Sequence, residues 1–263
     1  MFDIPTINRP AKALLDGLAS IGSATASSEL YKMGIRNPFI AGAVPHSRGK
    51  VVAGPALTLQ FMPKREDLYG DDEYADREKQ LHRHALYHVE AGDVVVVDAR
   101  GDIQSGIFGE MMLTYFAGKG GAGMVIDGVI RDAAKAFALD IGYWMRGASP
   151  NFHTQTTLMP HAVNVPIACG GTYVRPGDII IADDDGAICV PIAYAERLLE
   201  AGSHHAEWED FSRLMLSKGG DLRRYYPLAP EAEAEYQAWK AQQSRSERGI
   251  QAPGCERRSS ARL

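Results

Sequence analysis

An α/β fold is expected for this chain of 263 residues, on three observations. Short β-branched runs alternate with segments of helical periodicity from about Val51 to Pro191, the pattern that builds a sheet with helices packed on it. The runs Val94-Val95-Val96-Val97 and Met124-Val125-Ile126 are apolar at every position, which marks strands buried on both faces. With 45% hydrophobic residues the chain can bury a sizeable core, as one large domain or two small ones.

Ala11 to Met33 reads as two short helical stretches broken at Ile21-Gly22-Ser23, with Ser27 as candidate N-cap and Gly34 as stop. This segment, 1–50, is expected to pack on a core spanning 51–192. Between the strand VAGPALTLQ and the strand GDVVVVD lies a polar stretch, Met62 to Glu90, that includes Tyr69-Gly70-Asp71-Asp72-Glu73-Tyr74 and His82, His84 and His88. His84 and His88 are spaced to share a helix face and hold a metal. Leu81, Ala85 and Val89 beside them favour an ordinary amphipathic helix.

Beyond the strand Gly92 to Asp98 the chain turns through Gly101, Gly106 and Gly109, and the pattern then becomes helical, with Met112, Leu113 and Phe116 recurring until Gly118. A helix therefore starts close to Glu110. Its first amides lack intrahelical partners and carry the positive end of the dipole, so a carboxylate can dock there, and the glycines allow close approach. A second buried strand, Gly123 to Gly128, leads into Val129-Ile130-Arg131-Asp132. Arg131 offers a planar fork for a carboxylate, and Asp132 a hard oxygen ligand for Mg²⁺ or Mn²⁺. Neighbours on an extended strand point opposite ways, so the two serve one site only if the backbone turns there. On spacing alone, the commoner role for such a pair is a salt bridge, with Asp132 as N-cap of a helix over Ala133 to Leu139.

In the segment Gly147 to Thr156, His153 and Gln155 either reach the distal end of a substrate or hold their own loop by side-chain hydrogen bonds. Asp183-Asp184-Asp185-Gly186 lacks the spaced ligands of a calcium loop and reads as a hairpin turn. Ala193 to Lys218 and Glu231 to Gln243 read as helices of a C-terminal region, 193–243, whose Trp208 and Phe211 are aromatics of the kind that anchor a helix at a subunit interface. The tail 244–263 is polar and arginine-rich and is expected to be disordered or draped over a neighbour. Its Arg245, Arg248, Arg257, Arg258 and Arg262 are diluted by Glu247 and Glu256 in a chain of net charge −5, which argues against a nucleic-acid partner. No apolar run is long enough to span a bilayer and no signal peptide is evident, so a cytoplasmic protein without membrane association is expected. Of three cysteines, Cys169 and Cys189 sit in apolar runs as reduced core residues, and Cys255 lies in the tail.

The succession GSATASSELYKMG, VAGPALTLQ, GDVVVVD, GEMM, GAGMVIDGVIRD, NVPIACGG and RPGDIIIADDDG resembles the regulator of ribonuclease activity A (RraA) family, especially its enzymatic branch, the 4-hydroxy-4-methyl-2-oxoglutarate aldolases. The resemblance implies a swivelling β/β/α-type single domain with flanking helices. It also implies a class II pyruvate aldolase, often able to decarboxylate oxaloacetate, that uses Mg²⁺ or Mn²⁺ and no Schiff-base lysine. By that resemblance Asp132 is the metal ligand, Arg131 holds the substrate oxygens and the pyruvate enolate, and Glu110 binds metal-coordinated water. Gly109 and the amides of Met111 and Met112 form the carboxylate cradle. The family site lies between subunits of a homotrimer or hexamer, and Glu209 best matches the carboxylate contributed by a neighbour's C-terminal helix, with Glu207 as the alternative. Taken singly, each reads more readily as a solvated helix charge. A metal-dependent sugar-acid dehydratase or lyase is the alternative enzyme, and a non-catalytic regulator that binds a ribonuclease is the alternative outside enzymes. The presence of both the GEMM glutamate and the Arg-Asp pair favours the enzyme.

Overall fold

The computed structural model describes residues 3–69 and 76–250. Its sheet is organised by one long strand, β2 (Val52–Pro63), which follows β1 (Val44–Pro45). One edge of β2 runs parallel to β3 (Val94–Asp98); the other is shared between β9 (Ile179–Asp183) and β6 (Leu158–Val163), both antiparallel. A register shift between Gln60 and Phe61 marks the bend where β6 pairs. Parallel pairing continues from β3 to β4 (Gly123–Ile130) and β5 (Gly142–Ala148), and β1 closes that side antiparallel to β5. On the far side β9 forms a two-residue hairpin with β10 (Gly186–Val190), Gly186 facing Asp183, as its turn chemistry requires. The short strands β7 (Ile167–Cys169) and β8 (Thr172–Val174) pair separately.

Parallel neighbours need crossovers, and the helical patterns supply them. α2 (Leu81–Tyr87) links β2 to β3, α3 (Glu110–Gly118) links β3 to β4, and α4 (Ala133–Ala136) links β4 to β5. Side chains alternate between the faces. Val95, Val97, Met124, Ile126, Tyr143 and Met145 pack beneath Leu81, Leu86, Leu113 and Phe116 of the helices. Val94, Val96, Val125 and Trp144 pack on the opposite face with Ile180, Cys169 and Cys189. Both cysteines are buried and free, as expected; Cys255 lies outside the described residues. This two-sided burial explains the continuous apolar runs.

α1 (Lys12–Lys32) contributes Leu18, Ile21 and Leu30 to a third cluster with Ile179, Ile181, Ile188 and Val190. The expected break is at Gly22, with φ 73° and ψ 168°, and Gly34 (φ 92°) ends the helix. The expected cap is corrected: Ser27 lies inside the helix, and the carboxylate of Asp183 accepts the Ser23 amide (2.7 Å) and hydroxyl (2.6 Å) at the restart. A side chain distant in sequence thus does what a local serine was expected to do.

By its contacts the chain divides into Met1–Gly202 and Ser203–Leu263, a division that falls inside α5 (Ala195–Ser217). The second unit continues with α6 (Leu222–Tyr225) and α7 (Glu233–Ile250), and its core is aromatic, built from Phe211, Tyr225 and Tyr236 with Trp208 and Trp239. The expected tail from Ser244 is corrected in its first part. Backbone helix runs to Ile250 through Arg, Glu and Gln residues of good helix propensity. The remaining tail, 251–263, and the segment 70–75 with its acidic cluster lie outside the described residues. No described helix is long and apolar enough to cross a membrane.

Candidate active site

The cluster forms where β4 ends. After Ile130 the chain turns sharply, because Asp132 adopts φ 57° and ψ 33°, the left-handed region that few non-glycine residues enter. This meets the condition for a shared site: Arg131 and Asp132 line the same cavity, with Arg131 Nε 3.6 Å from Asp132 Oδ2. The expected role of Asp132 as cap of its own helix is corrected. Its side chain makes no cap bond to α4, which is a single turn over Ala133–Ala136. Instead Oδ2 accepts the N–H of Glu110 at 3.2 Å, so the carboxylate sits at the positive end of α3, where the helix dipole favours an anion.

Gly109 permits this approach. A Cβ added there would lie 2.7 Å from both Arg131 Nε and Asp132 Oδ2. Gly106 is equally confined, its added Cβ falling 2.5 Å from the Asn151 carbonyl. The Arg131 amide donates to the Phe108 carbonyl at 3.0 Å, tying the end of β4 to the loop before α3, and the guanidinium carbon lies 5.9 Å from the centre of the Phe152 ring. The Glu110 carboxylate accepts from Lys135 Nζ at 3.1 Å.

All the residues expected from the two motifs, Gly109, Glu110, Met111, Met112, Arg131 and Asp132, line this cavity of about 260 Å³. The amide cradle is narrower than expected. The Glu110 amide is engaged by Asp132, and the Met112 amide donates to the Gly109 carbonyl at 3.1 Å. The Met111 amide has no acceptor among the described residues.

Sequence reasoning missed part of the wall. α2 directs Leu81, His82, Ala85 and Leu86 inward, and Gln80, His82 and Arg83 line the cavity together with Phe152 and His153. The spacing of His84 and His88 drew attention to the wrong face. His84 Nε2 and His88 Nδ1 lie 2.9 Å and 2.7 Å from the backbone carbonyls of Glu78 and His84. His82 is 3% exposed, its ring 4.2 Å from that of His153. Burial, and then the neighbouring His153, holds the His82 imidazole well below its usual pKa and neutral. Of the two candidates in the 147–156 loop, His153 reaches the cavity, whereas Gln155 holds the loop by accepting the Phe152 amide at 3.0 Å.

Glu209 belongs to the C-terminal unit and does not line this cavity; its Oε1 lies 3.1 Å from His205 Nε2. Glu207, the alternative, pairs with Lys240 at 2.7 Å.

The donors suit a hard cation. The side chains of Asp132, 46% exposed, and Glu110, 26% exposed, are accessible at the cavity, and no group of three or more His, Cys, Asp or Glu residues forms a closed cage among the described residues. Mg²⁺ binds through one or two carboxylates while keeping several waters, so Mg²⁺ and the similar Mn²⁺ fit this set. A structural zinc site needs more protein ligands than are gathered here.

Known proteins share this architecture. A curated relative, a putative 4-hydroxy-4-methyl-2-oxoglutarate aldolase from Halalkalibacterium halodurans, is 34% identical over 156 residues, 59% of this chain and 67% of the relative. The crystal structure of Streptomyces coelicolor RraAS2, described as an unusual member of the RNase ES inhibitor RraA protein family, is 41% identical with a TM-score of 0.71, covering 78% of this chain and 98% of that one. An uncharacterized protein from Pseudomonas syringae pv. tomato shares the fold at 23% identity and a TM-score of 0.72, over 87% of this chain and 100% of that one. The model of the RraA-like family, Aldolase/RraA, matches residues 19–189, from within α1 to β10, and the chain belongs to that family.

Proposed function

We propose that the chain is a divalent-metal-dependent carbon–carbon lyase that cleaves a short 4-hydroxy-2-oxo acid to pyruvate and a second carbonyl fragment, and that also decarboxylates oxaloacetate. The observation that carries this is the left-handed turn at Asp132, which joins a hard carboxylate and a planar guanidinium to the start of α3 around one cavity. Asp132 would hold Mg²⁺ or Mn²⁺ and Glu110 would hold its coordinated water, and the ion when bound would supply Lewis acidity at the 2-oxo group. Arg131 takes the oxygens of the 2-oxo acid in its fork, and the Met111 amide takes a carboxylate oxygen. As the 4-hydroxyl loses its proton and the C3–C4 pair moves toward the 2-oxo oxygen, Arg131 neutralises the charge that grows there. Glu110, directly or through water, accepts the hydroxyl proton, and a proton returned to C3 completes pyruvate. The assembly is a homotrimer or hexamer in which Glu209 of a neighbour completes the proton network.

The test is pyruvate release from a panel of 4-hydroxy-2-oxo acids and oxaloacetate, with Mg²⁺ or Mn²⁺ and with a chelator. Turnover that the chelator removes supports the lyase; no turnover on any acid with either metal rejects it. The similarity to RraAS2 at 41% identity favours one second reading, a regulator that binds and inhibits an RNase E-type enzyme. Inhibition of such a ribonuclease by a protein devoid of lyase activity would establish it.

A further inference from the structure

The charges around the cavity are not distributed evenly. Arg131 has Asp132 beside it, and Glu110 has Lys135. Arg83, half-buried on α2 and lining the same cavity, has no carboxylate partner among the described residues. Its Nε donates to Gln80 Oε1, which orients the planar group and leaves both terminal amino groups available. Arg83 also borders an adjoining hollow formed by Leu86, Tyr87, Met111, Met112 and Tyr115, a hollow that Arg131 and Asp132 do not reach. Arg83, on α2, therefore borders part of the space that Arg131, at the end of β4, does not. His82, on α2 and facing His153 of the 153–155 turn, is neutral and adds no competing charge.

We propose that Arg83 is a specificity-determining residue that binds a second carboxylate at the end of the substrate remote from the 2-oxo acid group, with Gln80 positioning it. This rests on the cavity being a 2-oxo acid site, as proposed above, but not on turnover. Arg83 belongs to the 62–90 stretch, outside the motifs that carry the family resemblance. A guanidinium fork fits a carboxylate in two places, where an ammonium fits it in one.

The test is a binding titration in magnesium buffer with two unreactive acids, 2-oxoglutarate and 2-oxopentanoate, which differ in the distal carboxylate. The wild type should prefer 2-oxoglutarate by roughly 10- to 100-fold, the range of one charge-assisted hydrogen bond or a pair of them. Arg83→Gln should lose the preference by weakening 2-oxoglutarate alone, and Arg83→Lys should keep part of it. Equal wild-type affinities, an unchanged preference in Arg83→Gln, or equal loss of both acids would each overturn the assignment. Binding of neither acid by the wild type would overturn it together with the oxo acid site. A protein that shows the preference but releases no pyruvate would keep the assignment while the lyase reading fails.

Discussion

Replacing Gly109 by alanine separates the site from the fold. The added Cβ would meet Arg131 Nε and Asp132 Oδ2 at 2.7 Å, and ordinary contact needs about 3.5 Å, so the two side chains must retreat by about 0.8 Å. Both atoms that must give way belong to side chains, and the glycine's own φ of −108° is open to alanine. The substitution should therefore leave stability within about 1 kcal/mol of wild type, with the lost Glu110–Asp132 contact set against the lower entropy of the unfolded chain. Catalysis should suffer far more, since a displacement of about 1 Å in a catalytic group is worth about 100-fold in rate, or about 2.7 kcal/mol. Urea unfolding gives the first quantity, and coupled pyruvate release under saturating Mg²⁺ gives the second. A wild-type kcat/KM in the variant would refute the claim that the crowded Gly109–Arg131–Asp132 contact is catalytic. A loss of several kcal/mol in stability would refute the claim that side chains absorb the strain.

Asp132→Ala should abolish metal-dependent turnover and Mn²⁺ binding by electron paramagnetic resonance while costing about 1 kcal/mol or less in stability, because it removes the proposed ligand and one helix-terminus contact; undiminished Mn²⁺ binding would place the metal elsewhere. Arg131→Lys should lower kcat/KM by about 3 kcal/mol, since an ammonium cannot reproduce the fork, and full activity would show that Arg131 does not touch the developing charge. Mixing inactive Asp132→Ala with inactive Glu209→Ala, once labelled subunits are seen to exchange, should restore partial activity; no recovery would mean that Glu209 does not reach across. His82 is held neutral in the fold, whereas in the unfolded chain it protonates near 6.5. Protons then load the unfolded state first, so stability present above that pH falls as pH drops through it, by up to about 1.4 kcal/mol per unit. The urea midpoint should decline more steeply below about pH 6.5 in wild type than in His82→Leu, and parallel declines would count against it.

Much was legible along the chain because it is written in local pattern. The all-apolar runs of β3 and β4 announce burial on both faces, Gly22 and Gly34 mark where α1 breaks and stops, and the change at Glu110 from turn glycines to helical spacing locates the start of α3. These follow from backbone freedom and side-chain period, which neighbouring residues alone determine. The residues of GEMM and IRD were also recognisable as types: a planar fork, a hard oxygen donor and unsatisfied helix amides.

Their arrangement was decided by the tertiary structure. Whether Asp132 caps its own helix or the start of α3 turns on a left-handed backbone at one residue and on the missing Cβ of Gly109. Neither has meaning until β4 lies beside β3. The cap at Ser23 comes from Asp183, on a strand that only the completed sheet brings near. His82 and Arg83 entered the cavity, while the better-spaced His84 and His88 did not, because the sheet chooses which face of α2 is buried. Sequence determines which groups a segment can offer; long-range pairing and packing determine which of them face one another, because those contacts join residues that local periodicity never compares.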